Sequence, residues 1–385
     1  MNQFVKAVLP VAILMSANFA HAETSNFKRW AVSAGWLHVM PQGSANSTHI
    51  NTAVVEGEKY KVGPALTGRD VMENSDLLEK YKAGEFSAIA NIGIKSLITG
   101  FEKNPETLDN PLSTLMTKNA HSNVNGITQW SDKAGLEADD ADTLGITLSY
   151  YANDNVSIEL IGGIPPKVDV KGDGQIIASV TATSNSSGFD KDGNKLPNGS
   201  LANQAPFIDG VTFNKDLLIT DLGAHGTIAE VTAWTPALTA KYHFGQSGVN
   251  KFRPFLGAGV VYGHFNKLKL NGAVEQDLVN AGYMVDNVLN GRAGEAMHGG
   301  QGSSTADVHV KVKTSDAFAP VATLGFNYDL TDRWFTTASL TYMPNFNNTA
   351  TITVMDKNTG TELIKAKTKV DLDPLITYVG VGFRF

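Results

Sequence analysis

The chain has 385 residues, a net charge of −7, 42% hydrophobic residues, 37 glycines and no cysteine. The absence of cysteine excludes a disulfide framework, and so mild an acidity argues against a nucleic-acid partner. No run of about 18 apolar residues follows the amino-terminal segment, so the chain either stays outside a bilayer or crosses it as strands.

In chain order, Lys6, an apolar stretch over 8–19 and Ala20-His21-Ala22, an A-x-A cleavage site, predict a secretory signal peptide over 1–22 and a mature chain of 23–385. A first strand is expected at 30–39. The linker of about 41–140 contains two amphipathic stretches. One helix is predicted over 70–82, with Val71, Leu77, Leu78 and Tyr81 on its apolar side, and another over 108–118. Four acids within 137–142 read as solvated charge near an outer surface, within reach of divalent ions that bridge lipopolysaccharide.

Period-2 patterning then dominates to the end of the chain. Leu144, Ile146, Leu148 and Tyr150 share one face of a second strand, and Val156, Ile158, Leu160 and Ile164 one face of a third. A fourth shows Trp234, Leu238, Ala240, Tyr242 and Phe244, and a fifth, over 252–267, Phe252, Leu256, Ala258, Val260 and Tyr262. Phe318, Ala322, Leu324, Phe326 and Tyr328 line the sixth, and Trp334, Ala338, Leu340 and Tyr342 the seventh. The eighth carries Leu375, Val379, Val381, Phe383 and Phe385. Between the strands, a helix is predicted over 274–289 and a turn-rich segment over 184–199. Within that segment Asp190-Lys191-Asp192-Gly193-Asn194 starts like a calcium loop, but Leu201 occupies the twelfth position where a glutamate is needed, so it reads as a turn and no metal is expected.

Eight strands, an even number, alternate between short turns at 153–154, 245–250 and 329–332 and long linkers at about 41–140, 165–225, 268–306 and 347–361. Such alternation is the layout of a transmembrane barrel with short periplasmic turns and long extracellular loops. The pairs Trp234 and Phe244, Phe252 and Tyr262, and Phe318 and Tyr328 are each ten positions apart. Ten residues tilted by about 40° rise about 25 Å, the height of the apolar band between two aromatic girdles. The predicted class is all-β, an eight-stranded antiparallel transmembrane β-barrel in the Gram-negative outer membrane. A strand that stops on Phe385 needs a partner for its free edge, which closure supplies. A soluble β-sandwich, the competing fold, gives no account of that terminal aromatic. Tyr378, Gly380, Phe383 and Phe385 also match the carboxy-terminal signal read by the outer-membrane insertion machinery.

Several stretches together resemble the OmpW family of outer-membrane proteins, to which the alkane-uptake channel AlkL belongs. They are the opening strand Trp30 to Pro41, Leu144-Gly145-Ile146-Thr147-Leu148-Ser149-Tyr150, Ile158-Glu159-Leu160 leading to Pro165-Pro166-Lys167, Thr235-Pro236-Ala237-Leu238-Thr239, Tyr242-His243-Phe244, Phe252-Arg253-Pro254-Phe255-Leu256-Gly257-Ala258-Gly259, Asp329 to Trp334, and Val370-Asp371-Leu372-Asp373-Pro374 running into the terminal strand. The resemblance covers all eight strands and implies a narrow apolar channel through which small hydrophobic compounds pass and leave sideways into the membrane. The first two loops are much longer than the family pattern.

Eight strands leave room for side chains or one small ligand, which excludes a general water-filled porin. By parity and distance from the short turns, Glu159, Lys241, His243, Arg253, Asn327 and Arg384 form a polar plug in the periplasmic half of the lumen. Leu37, Ile161, Val261, Val321 and Ile376 form an apolar lumen above it. Opposite charges in so narrow a tube are expected to pair. Pro165, Pro166 and Pro236 remove ladder donors between neighbouring strands and mark a candidate lateral opening; the alternative is that they only end pairing above the membrane. The expected function is passive uptake of small hydrophobic solutes, the alternative a non-conducting barrel that displays its loops as a receptor or adhesive surface. Expected partners are outer-membrane lipids, lipopolysaccharide, hydrophobic solutes and the insertion machinery. No catalytic motif is present and no cofactor is expected; His264 is the one residue that could be nominated for rim chemistry.

Overall fold

A computed structural model describes residues 28–43, 46–112, 117, 121–126, 134–185 and 210–385. The predicted signal peptide, the calcium-like turn and most of 184–199 lie outside the described residues.

Eight strands close on themselves. They are β1 (Trp30–Met40), β6 (Ala141–Tyr151), β7 (Val156–Gly163), β12 (Ala237–His243), β13 (Phe252–Leu270), β15 (Ala317–Asp329), β16 (Trp334–Tyr342) and β19 (Leu375–Arg384). Each pairs antiparallel with both neighbours. The seam joins the first strand to the last, from Ala31 opposite Arg384 to Met40 opposite Leu375. Trp30 and Phe385 exchange backbone hydrogen bonds at its lower end, so the carboxy-terminal residue lies inside the ladder. Among the described residues no helix is long and apolar enough to cross a membrane.

Alternation along each strand makes the wall two-sided. On β15, Ala317, Ala319, Val321 and Thr323 are buried, whereas Phe318, Leu324, Phe326 and Tyr328 are exposed. Apolar side chains that face outward in this way are stable only in lipid. A lower ring of aromatics braces the periplasmic rim, with centroids 5.0 Å apart for Trp30 and Tyr150, 5.1 Å for Trp334 and Phe383, and 5.1 Å for Phe252 and Phe326. Trp234, assigned to the fourth barrel strand by its spacing, instead ends β11 (Thr227–Trp234), because Pro236 interrupts the chain before β12 begins.

The long linkers are largely folded. β13 runs past the membrane to Leu270, and its upper half pairs with β11. From there an outer wall continues through β8 (Lys167–Asp173), β5 (Gly135–Ala138), β2 (Asn46–Thr52), β18 (Glu362–Asp371), β17 (Asn347–Asp356) and β14 (Val308–Thr314). The fourth linker therefore extends well beyond 347–361, since β17 and β18 form a hairpin within it. A second sheet, β10 (Thr212–Asp221), β9 (Gln175–Asn185), β4 (His121–Asn125) and β3 (Lys59–Lys61), stands further out. The helices are α1 (Gly68–Glu73), α2 (Leu77–Ala83), α3 (Ala88–Lys103), α4 (Gly272–Leu289) and α5 (Ala293–Ala296).

The helix expected over 70–82 is two helices. Thr67 and Asp70 form a capping box that starts α1. The chain then bridges Ser75 to Phe213, and Asp76 exchanges hydrogen bonds with the Thr212 backbone, so pairing with β10 breaks the helix. The described part of the helix expected over 108–118 is not helical before Thr117: Pro111 bridges Thr67 and the Leu112 amide donates to Leu66 at 2.8 Å. The helix expected over 274–289 is present as α4, started by the Asn271 side chain accepting from Ala273. α3 escaped sequence analysis, although Ser87 caps it and Ile94, Leu97, Ile98 and Phe101 repeat at helical spacing.

Candidate functional site: a stacked lumen

Inward side chains divide the interior into three levels. At the bottom, Glu159, Lys241, His243, Arg253, Asn327 and Arg384 are all buried. Lys241 donates to Glu159, whose second carboxylate oxygen accepts from Ser149 at 2.9 Å. His243 shares a 2.8 Å hydrogen bond with Ser157. Arg384 pairs with Asp329 at 2.8 Å and lies 4.4 Å from the Phe335 ring, while Arg253 reaches the Asp154 carbonyl at 2.5 Å. Phe255 supplies a face for Lys241 at 4.4 Å. Ser157, Phe255 and Phe335 were missed in the sequence, although strand parity alone assigns them to the lumen, as it does Ser149 on the face opposite Leu148 and Tyr150. Each charged head at this level has an opposite charge, a carbonyl or a ring beside it, which offsets part of the cost of burial, while Arg253 Nε, Arg384 Nη2 and His243 Nδ1 are buried without a hydrogen-bond partner among the described residues.

Above the plug lies a cavity of about 220 Å³ lined by Leu37, Ile161, Ile376, Thr341 and Tyr378, among others. Tyr378 belongs to the terminal aromatic pattern, yet its side chain points inward and its hydroxyl bonds Ser33 at 2.8 Å. Val261 and Val321 face inward and are buried in the apolar cluster above. The same cavity is bounded by Gly162, Gly163, Pro165, Pro166, Trp234 and Pro236. Here the wall is thin. The ladder between β7 and β12 ends at Ile161 opposite Ala237, and the next registered pair above is Lys167 opposite Thr232. Between them the cross-strand backbone bond is Ala233 to Pro166 at 3.0 Å, while Ile164 turns to Leu144 and the Pro236 carbonyl accepts from Tyr262 on the other side. A Cβ at Gly163 would lie 2.2 Å from the Leu144 carbonyl oxygen, which holds glycine at the bend.

The third level is an apolar chamber of about 140 Å³ enclosed by the outer wall. Val168, Val170, Val231, Phe265, Ile352 and Ile364 line its sides, and Val274 and Leu278 of α4 close part of it. It shares Val39, Pro166, Ala233, Thr235, Met343 and Ile376 with the cavity below, so the two are contiguous.

At the outer rim, Asp316 accepts from Tyr262 and bonds His264, each at 2.8 Å. Hydrogen bonds from His264 and Tyr262 hold the Asp316 carboxyl below the usual carboxylate range. His264 is thus the partner of a rim carboxylate. Among the described residues no group of three or more His, Cys, Asp or Glu side chains is placed to hold a metal ion.

Outer membrane protein W of Vibrio cholerae serotype O1 is 27% identical over 165 residues, an alignment that spans 43% of this chain and 58% of that relative. Among solved structures, OprG of Pseudomonas aeruginosa aligns over 94% of this chain and 97% of its own at 14% identity and a TM-score of 0.45. OmpW of E. coli aligns over 94% and 100% at 16% identity and a TM-score of 0.34. At such scores the fold rests on the pairing register rather than on superposition. The sequence model of the OmpW family matches residues 111–281 and 295–385, which hold seven of the eight barrel strands. The chain is a closed eight-stranded outer-membrane β-barrel and belongs to the OmpW family.

Proposed function

We propose that this barrel takes up small hydrophobic molecules passively, from the outer chamber into the membrane. The observation that carries this reading is the order of the three levels: an apolar chamber, a contiguous cavity beside an interrupted ladder, and a charged plug beneath. An apolar solute gains by leaving water for the chamber, at about 25 cal/mol per Å² of surface buried. Descending further means displacing paired charges, which is costly. Sideways, between 162–166 and 233–236, it meets few cross-strand hydrogen bonds and then lipid. The reading is one of transport, without a catalytic step.

Two substitutions test it in vesicles containing the full chain, with uptake of a long-chain alkane as the readout. Ile161→Trp fills the middle cavity, and uptake is expected to fall to the rate of protein-free vesicles. Pro236→Val restores a backbone donor at the gap and is expected to slow uptake while leaving the barrel folded. Unchanged uptake in both variants overturns the route. No uptake by the unmodified protein favours the display of loops instead.

A further inference from the structure

Lysines on the outer wall differ in their partners. On β8, Lys167 pairs with Glu230 at 2.9 Å and Lys171 with Asp139 at 2.7 Å, whereas Lys267 and Lys269 on upper β13 are exposed and without an ion pair among the described residues. Across β14, β17, β18 and β2, register places Lys311, Thr353, Lys365 and Asn51 in one row. Lys313, Thr351, Lys367 and His49 form the next row, and Thr349 and Lys369 the one below. Their alternate neighbours, Val312, Ala350, Ile352, Ala366 and Ile50, line the chamber, so the lysines stand on the outer side. Lys365 and Lys369 pair with Glu362 and Asp371. Lys311, Lys313 and Lys367 are exposed and have no acid within ion-pair distance among the described residues.

We propose that this face binds the phosphorylated headgroup of an outer-leaflet glycolipid, lipopolysaccharide. Geometry fits in spacing and in height. Strands about 4.8 Å apart put Lys313 and Lys367 about 10 Å from each other across the Thr351 hydroxyl, and successive outward residues are about 7 Å apart. Three flexible ammonium groups at those separations converge on one or two phosphates, with threonine hydroxyls between them as further donors. Lys313 precedes Phe318 by five residues, and Phe318 faces lipid beside Tyr262 at the outer girdle. β14 ends at Thr314 and β15 begins at Ala317, and five residues of chain reach at most about 18 Å, so Lys313 lies within headgroup distance of the outer girdle. The lysines stand on the outer side of a wall that continues from the lipid-facing barrel, where an outer-leaflet headgroup lies and a soluble polyanion has no privileged access. The proposal does not depend on the transport reading.

The test uses the full chain folded in zwitterionic detergent, with binding of purified lipopolysaccharide measured directly. Lys311→Gln, Lys313→Gln and Lys367→Gln together are expected to weaken binding by about tenfold or more, given the strength of each lysine at an anionic surface. Lys167→Gln with Lys171→Gln, whose ammonium groups already pair with Glu230 and Asp139, is expected to change it by less than about twofold. Heat-modifiable electrophoretic mobility verifies that both variants remain folded. Dephosphorylated lipopolysaccharide is expected to lose as much affinity as the triple variant does, and added salt to weaken the native interaction. Undiminished binding by the triple variant, or equal binding of the dephosphorylated lipid, overturns the proposal. So does inorganic phosphate that competes at matched concentration, which assigns the site to the free ion, or heparin that binds as tightly, which assigns it to a polysaccharide.

Discussion

Asp70 holds the external layer together through a single carboxylate. One of its oxygens accepts from the Thr67 amide at 3.0 Å, the Thr67 hydroxyl at 2.7 Å and His298 at 2.6 Å, while the other meets Lys215 at 3.2 Å. Burial pushes this carboxyl upward, but hydrogen bonds from His298 and Thr67 outweigh burial and hold it well below the usual carboxylate range. A carboxyl depressed in the folded state contributes its full stabilisation above its unfolded value, about 3.9, and loses it as pH falls through the folded value. Asp70→Asn is expected to cost the external layer roughly 1–3 kcal/mol, because it strips a partly buried ion cluster of its anion. Hydrogen exchange should speed up in α1 and β10 with barrel amides unaffected; uniform protection in the variant contradicts this role. Nothing local announced the cluster. Asp70 was legible only as a residue of an amphipathic helix, since Lys215 and His298 come from linkers far along the chain. Glu159 and Lys241 lie on adjacent strands with alternating patterns, two residues apart in register, and parity with distance from the short turns was enough to bring them together.

Among the elements, α4 shows how closely the external parts are fitted. Gly282 faces β14 and β17 so tightly that an added Cβ would lie 2.7 Å from a methyl of Val308 and 2.8 Å from one of Val354. Gly282→Val is therefore expected to push the helix off the sheet at a cost of about 1–3 kcal/mol. Proteolysis within α4 should accelerate and the chamber should lose the cover of Val274 and Leu278; a variant as resistant as the native protein shows that the contact yields cheaply. The helix itself was legible because eighteen residues repeat an apolar face after an asparagine cap. The break between α1 and α2 was not, because a bridge to β10, more than a hundred residues away, overrides helix propensity at Ser75. The outer-wall strands were hidden for a related reason: Ile50 pairs with Ala366, and no turn or periodicity near either residue points to the other.

At the scale of the molecule, closure decides whether a membrane protein exists at all. Backbone groups at an open edge have no partner in hydrocarbon, and each costs several kcal/mol. Ending the chain after Tyr378 removes the partners of Trp36 and the residues before it on one side and of 334–338 on the other, leaving two open edges. Such a truncated chain is expected to show no compact, heat-modifiable band in detergent, whereas the full chain shows one; a compact band from the truncated chain contradicts closure through the last strand.

Taken alone, the sequence determined the eight-stranded antiparallel barrel and the face that its strands turn to lipid, apart from Trp234, which lies outside the fourth membrane strand. The physical reason is that lipid outside and a narrow tube inside impose a rule of period two that every strand obeys by itself. Only the tertiary structure decided the outer wall, the second sheet and the chamber beside them, because those surfaces form from pairings between different linkers, Ile50 with Ala366 among them, whose apolar faces have no meaning until they meet.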